Sequence, residues 1–127
     1  MTVASPSGRI VRDGRAKAYR PLPERDRVIA LEAGLAAYAR GDFFLAHELL
    51  EPAWMGAADP AERDLYQGLI KLAAAFVHVV RGNPTGAVKN LAGARARLRA
   101  VEAAGGPAGG LDLPGLLRAL DRRLTAA

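Results

Sequence analysis

Hydrophobic positions along the chain recur at spacings of three and four residues, without sustained alternation of apolar and polar residues. That period is typical of amphipathic helices. It predicts five helices, at about residues 24–40, 43–55, 60–81, 84–104 and 113–125. We therefore expect an all-α protein, a compact helical bundle of about five helices.

Glycine, proline and capping residues indicate where these helices begin and end. Gly41 and Gly82 suit the left-handed position that follows a helix. Asp59 before Pro60 has the order of an N-cap followed by a proline in the first turn. Pro52 inside the second helix predicts a kink or an early end, because its ring clashes with the carbonyl four residues before it.

The third predicted helix, at about residues 60–81, is apolar on almost every side between Leu65 and Val80. A helix of this kind is buried on most of its faces. We expect it to be the central helix of the bundle.

The first 23 residues differ from the rest in pattern and in charge. They have no periodic apolar stripe, which predicts a disordered or extended basic arm before a single helical-bundle domain at residues 24–127. The arm holds five Lys or Arg against one Asp, a net charge of +4. Residues 24–127 hold 13 Lys or Arg against 12 Asp or Glu, a net charge of +1. The bundle lacks a basic footprint, so a nucleic-acid partner is not expected.

Composition narrows the chemistry further. Ala and Leu supply 27 and 17 residues, a balance that favours helix over strand. The absence of cysteine excludes disulfides and thiolate chemistry. No apolar stretch has the form of a signal peptide or the length of a membrane span. We expect a cytoplasmic protein that does not bind a membrane.

Polar residues on faces that should be buried are the candidates for function. His47 and Glu51 share one face of the second helix. The antiparallel packing expected of helices joined by a short loop brings this face towards a polar stripe on the third helix. The candidate polar cluster consists of His47, Glu48, Glu51, Trp54, Gln67, Lys71 and His78.

The same segments resemble the domain of unknown function 309 family, over roughly residues 27–103. The resemblance lies in the pattern H-E-x-x-E-x-x-W, from His47 to Trp54, and in Gln67-Gly68-Leu69-Ile70. It continues through His78 and the run Arg81-Gly82-Asn83. The resemblance implies a small all-helical bacterial or archaeal protein and implies no established activity.

Two interpretations of the cluster are open. In the first, the chain is a non-enzymatic interaction or structural module without a cofactor, and His, Glu, Gln and Lys side chains form a buried network that fixes the packing. Lys71 favours this interpretation, because an ammonium pairs with a carboxylate and repels a cation. In the second, the chain is a small metal-dependent or acid–base enzyme centred on His47, Glu48, Glu51 and His78. A divalent metal would then be held by His47, Glu51 and His78.

The last predicted helix bears on the oligomeric state. Its apolar stripe consists of Leu113, Leu116, Leu117, Leu120 and Leu124. An uncovered leucine face on a small bundle tends to find a partner, so we expect a homodimer. The alternative is that the helix folds back on its own bundle.

Overall fold

The computed structural model describes residues 9–12, 15–18 and 20–126, and in that part of the chain it is an all-α bundle of five helices. The helices are α1 (Glu24–Ala39), α2 (Phe43–Gly56), α3 (Pro60–Val80), α4 (Pro84–Ala103) and α5 (Leu113–Ala126). Each observed end lies within one residue of its predicted position. The predicted fold class is confirmed.

Helix α3 occupies the centre of the bundle, in contact with both α2 and α4. Its buried residues include Gly68, Leu69 and Ile70, which are consecutive and therefore point about 100° apart around the helix. This confirms the prediction of a buried central helix. The remaining neighbours are α1 on α2 and α5 on α4.

Successive helices run in opposite directions, which gives the bundle two different ends. The turns at residues 40–42 and 81–83, with the last turn of α5, lie at what we call the turn end. The α2–α3 and α4–α5 connections lie at the opposite end, which we call the loop end.

The helix ends use the predicted signals. Asp42, Asp59 and Asn83 each accept a hydrogen bond from the backbone N–H three residues on, at 3.2, 2.9 and 3.1 Å. Gly41 and Gly82 have φ angles of 80° and 72°, a region that side chains disfavour. These caps satisfy N–H groups that a helix leaves unpaired in its first turn.

Two glycines let helices approach closely. A Cβ atom at Gly34 of α1 would lie 2.6 Å from Cγ of Leu50 in α2. A Cβ atom at Gly68 of α3 would lie 2.8 Å from Cγ and Cδ2 of Leu98 in α4. Real Cβ atoms do not come that near, so the packing of both leucines depends on glycine at these positions.

Helix α2 does not end early at Pro52, so that part of the expectation is wrong, whereas a kink at Pro52 stays a prediction. The helix continues through Pro52 to Gly56. Pro52 is exposed and follows Glu48 by one turn, where the side chain is also exposed. Water can therefore bind the carbonyl that loses its helical partner, which keeps the cost of the proline low.

Two short strands lie in the predicted arm, β1 (Arg9–Arg12) and β2 (Arg15–Ala18). They pair in antiparallel fashion, with Arg9 opposite Ala18 and Arg12 opposite Arg15. An extended conformation was among the expectations for this segment, whereas the pairing was not predicted.

The residues just before α1 pack on the loop end. The Leu22 backbone N–H donates to the Gly56 carbonyl at 3.1 Å, and Arg27 donates from Nη1 to the Leu22 carbonyl at 2.5 Å. Leu22 falls inside the predicted arm, yet its backbone is tied to the end of α2 and to α1. The packed part of the molecule therefore begins a few residues earlier than the sequence predicts.

The leucine face of α5 belongs to the core of its own chain. Leu113, Leu117 and Leu120 are buried, and Leu116 and Leu124 pack against the same core. Of the two expectations for this helix, folding back on its own bundle is the one observed. The stripe therefore does not supply the exposed surface on which the expected homodimer rested.

Among the helices of the described residues, none has the length and apolar character that a bilayer crossing requires.

Candidate functional site

The polar residues of α2 lie together on a partly exposed face. His47 Nδ1 is 3.7 Å from Glu48 Oε1 and 3.9 Å from Glu51 Oε2. The exposed fractions of these side chains are 33%, 56% and 41%. The three groups form a local polar cluster at the surface of the helix.

Two of the predicted polar residues of α3, Lys71 and His78, contact α4 or the turn before it. A Cβ atom at Gly93 of α4 would lie 3.0 Å from Lys71 Cδ, so the lysine stem runs along α4. His78 Nδ1 is 3.1 Å from Asn83 Nδ2 at the α3–α4 turn. Gln67 is half-buried on the same stripe.

The single buried network predicted for these residues therefore does not form. His47 and Glu51 pair within α2, whereas Lys71 and His78 contact α4. The physical reason is that α3 packs on two helices, and its polar stripe follows Gly68 on the α4 side. Antiparallel packing of α2 and α3 is observed, but a different face of α3 makes that contact.

Trp54 is buried, and beside it lies a buried charge that the sequence analysis missed. Arg63 is only 2% exposed. Its Nη1 donates to the Trp54 carbonyl at 2.9 Å and to the Ala57 carbonyl at 3.0 Å. Its guanidinium carbon lies 5.3 Å from the centre of the Trp54 ring, within cation–π distance. Arg63 thereby closes the C-terminal end of α2, where helix carbonyls lack helical partners.

A second polar group at the loop end joins α1 to α3. Arg27 donates to Glu62 from Nε at 2.6 Å and from Nη2 at 3.2 Å, and the Tyr66 hydroxyl donates to Glu62 at 2.6 Å. Burial, followed by the bond to Glu62, raises the pKa of Tyr66. The bond to Glu62 raises the pKa of Arg27. A charged pair with both carboxylate oxygens engaged fixes the angle between the two helices.

These residues were missed because their spacing suggests nothing special. In the sequence, Glu62 is an ordinary acidic residue of the first turn of α3, and Arg27 is one of several charged residues at the start of α1. The available signal was Tyr66, four residues after Glu62 on the buried face of the central helix. A buried tyrosine hydroxyl needs a partner.

The turn end exposes four large apolar side chains. Phe44, Val79, Val80 and Val88 are exposed by 60%, 46%, 76% and 39%. They come from α2, α3 and α4, whose ends meet here. We call these four residues the apolar patch.

Beside the patch runs a groove of about 550 Å³ between the α3–α4 turn and the end of α5. We call it the turn-end groove, and its lining includes Val79, Ala87, Val88, Leu91, Arg123 and Ala126. A second depression of about 460 Å³, on the other side of the α5 end, shares Leu91, Arg123 and Ala126 with it.

An aromatic cluster holds Arg123 at this place. Phe43 stacks on Phe76 with ring centres 5.1 Å apart, and Tyr38 packs edge-on against both rings. The Arg123 guanidinium carbon lies 4.9 Å from the centre of the Phe76 ring. Burial raises the pKa of Tyr38, and the charge of Arg123 opposes that rise.

Charge is distributed unevenly over the bundle. Residues 24–83 contain six Lys or Arg and nine Asp or Glu, a net charge of −3, whereas residues 84–126 contain seven and three, a net charge of +4. Within the described part of the chain, Arg95 and Arg99 pair with Asp121, and Arg97 pairs with Asp64. Around the turn-end groove, the exposed cations form no ion pair with a described carboxylate; they are Arg81, Lys89, Arg122 and Arg123.

No group of three or more His, Asp or Glu side chains in the described residues is arranged to hold a metal ion. The predicted metal ligands His47 and Glu51 lie on α2, while His78 lies at the α3–α4 turn beside Asn83.

Comparison with known proteins identifies one family. The family model described as a domain of unknown function, DUF309, matches residues 31–90. No curated protein and no solved structure matches the chain. The matched residues run from the middle of α1 into α4, so they include the α2 polar face, the whole of α3 and all four residues of the apolar patch.

Proposed function

Residues 31–90 belong to the DUF309 family, a domain of unknown function, and from that premise we propose that the chain is a protein-interaction module rather than an enzyme. We propose further that its binding surface is the turn end of the bundle.

The observation that carries this proposal is the apolar patch. A small helical bundle gains stability by burying large apolar side chains, yet Val80 is 76% exposed and Phe44 is 60% exposed. Single exposed apolar residues are ordinary, but a group from three helices beside a groove is typical of an interaction site. Burial of the patch on a partner would recover the free energy that its exposure forgoes.

The metal-dependent or acid–base enzyme is the weaker interpretation for a geometric reason. General acid–base work and metal binding both require the reacting groups to converge on one point. His47 has its two carboxylates on its own helix, and His78 contacts Asn83 on the α4 side of α3. The four residues therefore lie in two places rather than one.

Site-specific photocrosslinking tests the proposal. A photoreactive benzoylphenylalanine is introduced at Val80 in the patch and, in a matched variant, at Ala104 at the loop end, which is also exposed. Both variants are expressed in the cells from which the protein comes and are irradiated. We expect discrete crosslinked species from position 80 and none from position 104.

A further variant guards against nonspecific labelling. Phe44→Ser in the position-80 background removes part of the patch without touching the core, so the crosslinked species should weaken strongly while the melting temperature stays the same. Equal labelling from both positions, or no species from position 80, would refute the interaction surface.

A further inference from the structure

We propose that the turn-end groove takes a short, acidic, amphipathic helix of the partner protein, an inference that rests on the interaction function proposed above. The first argument is a difference in burial along the α3–α4 face. Leu72 and Leu91 are buried, whereas Val79 and Val88, nearer the turn end, are exposed by 46% and 39%.

The turn end of the α3–α4 face is therefore uncovered. Leu117 and Leu120 of α5 are buried in the core, and the helix ends with Ala126 at the edge of the groove. Beyond it, Val79 and Val88 are exposed. A helix of two to three turns that continues the α5 layer would cover these side chains as α5 covers the rest of the face.

Charge determines the character of that helix. Arg123 lines the groove, and the exposed cations Arg81, Lys89 and Arg122 are each next in sequence to a lining residue. None of the four has a carboxylate partner among the described residues. Arg123 lies over the Phe76 ring and lines the groove. Because its side chain is already held there, it loses less conformational entropy when a partner binds. Carboxylates on the polar face of the incoming helix would complement these cations. The basic arm of this chain, with a net charge of +4, would be repelled from the same place.

An unbiased peptide selection tests this chemistry. A displayed library of random 16-residue peptides is selected on the full-length protein, and the enriched peptides are synthesised and measured by fluorescence anisotropy. We expect enriched sequences with apolar residues at helical spacing and a net negative charge. Arg123→Glu and Val79→Ser should each weaken their binding by about tenfold or more.

Two matched controls show whether the site is the groove. Arg118→Glu makes the same change of charge on α5 at an exposed position outside the groove lining. Ile29→Ser removes a comparably exposed apolar side chain, 53% exposed, from α1. Both variants should bind the enriched peptides within twofold of the unmodified protein.

Other outcomes would overturn the inference. Failure to enrich peptides, enrichment of neutral or basic peptides, or equal loss in the control variants would each refute the acidic helix. Sedimentation with phosphatidylglycerol vesicles that depends on Arg123 would identify a membrane instead, and a dimer in light scattering that Val79→Ser dissociates would identify a second copy. If position 80 still crosslinks in cells while the selection fails, the interaction module stands and only its partner chemistry is wrong.

Discussion

Substitution of Gly68 by alanine should destabilise the bundle, although alanine is the better helix former. A Cβ atom at this position would lie 2.8 Å from two carbon atoms of Leu98, which has no exposed surface and no room to move. Overpacking of this kind costs about 1–3 kcal/mol. The gain from replacing a glycine inside a helix is about 1 kcal/mol. We therefore expect a net loss of up to about 2 kcal/mol in the free energy of unfolding.

Gly93→Ala is the matched control in the same pair of helices. Its Cβ atom would lie 3.0 Å from Cδ of Lys71, the flexible end of a half-buried side chain that can move aside. The helix-forming gain should then prevail and stabilise the protein by about 0.5–1 kcal/mol. The same substitution at two glycines of the α3–α4 interface should therefore change the free energy of unfolding in opposite directions.

Urea denaturation followed by circular dichroism measures both effects. In thermal unfolding, the melting temperature of Gly68→Ala should lie below that of the unmodified protein and that of Gly93→Ala above it, by about 3–5 °C for each kcal/mol in a domain of this size. In a Leu98→Ala background the cost of Gly68→Ala should disappear, because the added methyl group then fills a cavity. A Gly68→Ala protein that gains as much stability as Gly93→Ala would refute the close approach of α3 to α4.

Three further substitutions test the polar groups and the last helix. The pKa of Tyr66 is raised in the folded chain, so the folded state keeps the hydroxyl proton at pH values where the unfolded chain loses it. The free energy of unfolding should therefore fall as the pH rises above 10.0, the ordinary pKa of tyrosine. Tyr66→Phe should reduce that fall in urea titrations at pH 8 to 11. Arg63→Ala should lower the free energy of unfolding by about 2–4 kcal/mol, because it removes the donor to two buried carbonyls. Glu51→Ala removes one member of a partly exposed pair and should change the free energy of unfolding by less than about 0.5 kcal/mol. Leu120→Glu should unfold the chain in circular dichroism; a folded variant that only changes its oligomeric state would contradict the packing of α5.

Helix positions were predictable because their signals are local. The cap at Asp59 and the glycines at positions 41 and 82 act within one turn, and the structure uses each of them as the sequence predicts. The face that a helix turns to each neighbour is set by the whole packing arrangement. His78 could be placed on a stripe with Lys71, but not on the α4 side of α3.

The candidate site was harder to predict for the same reason. An exposed apolar patch has no sequence signature, because Val79 and Val80 look like any other core residues of an apolar helix. Their exposure depends on which helices cover the end of α3, which requires knowing which helices pack together. Arg63 is the reverse case, since an arginine in the first turn of a helix normally faces solvent.

The two ends of the bundle differ in how they tolerate attached material. The segment before α1 is anchored at the loop end, where the Leu22 backbone bonds to the Gly56 carbonyl. Helix α5 finishes at the opposite end, with Ala126 on the rim of the groove. A fluorescent protein or surface tether fused in front of residue 20 therefore leaves the turn end facing solution, whereas the same fusion after α5 stands over the groove and competes with anything that enters it.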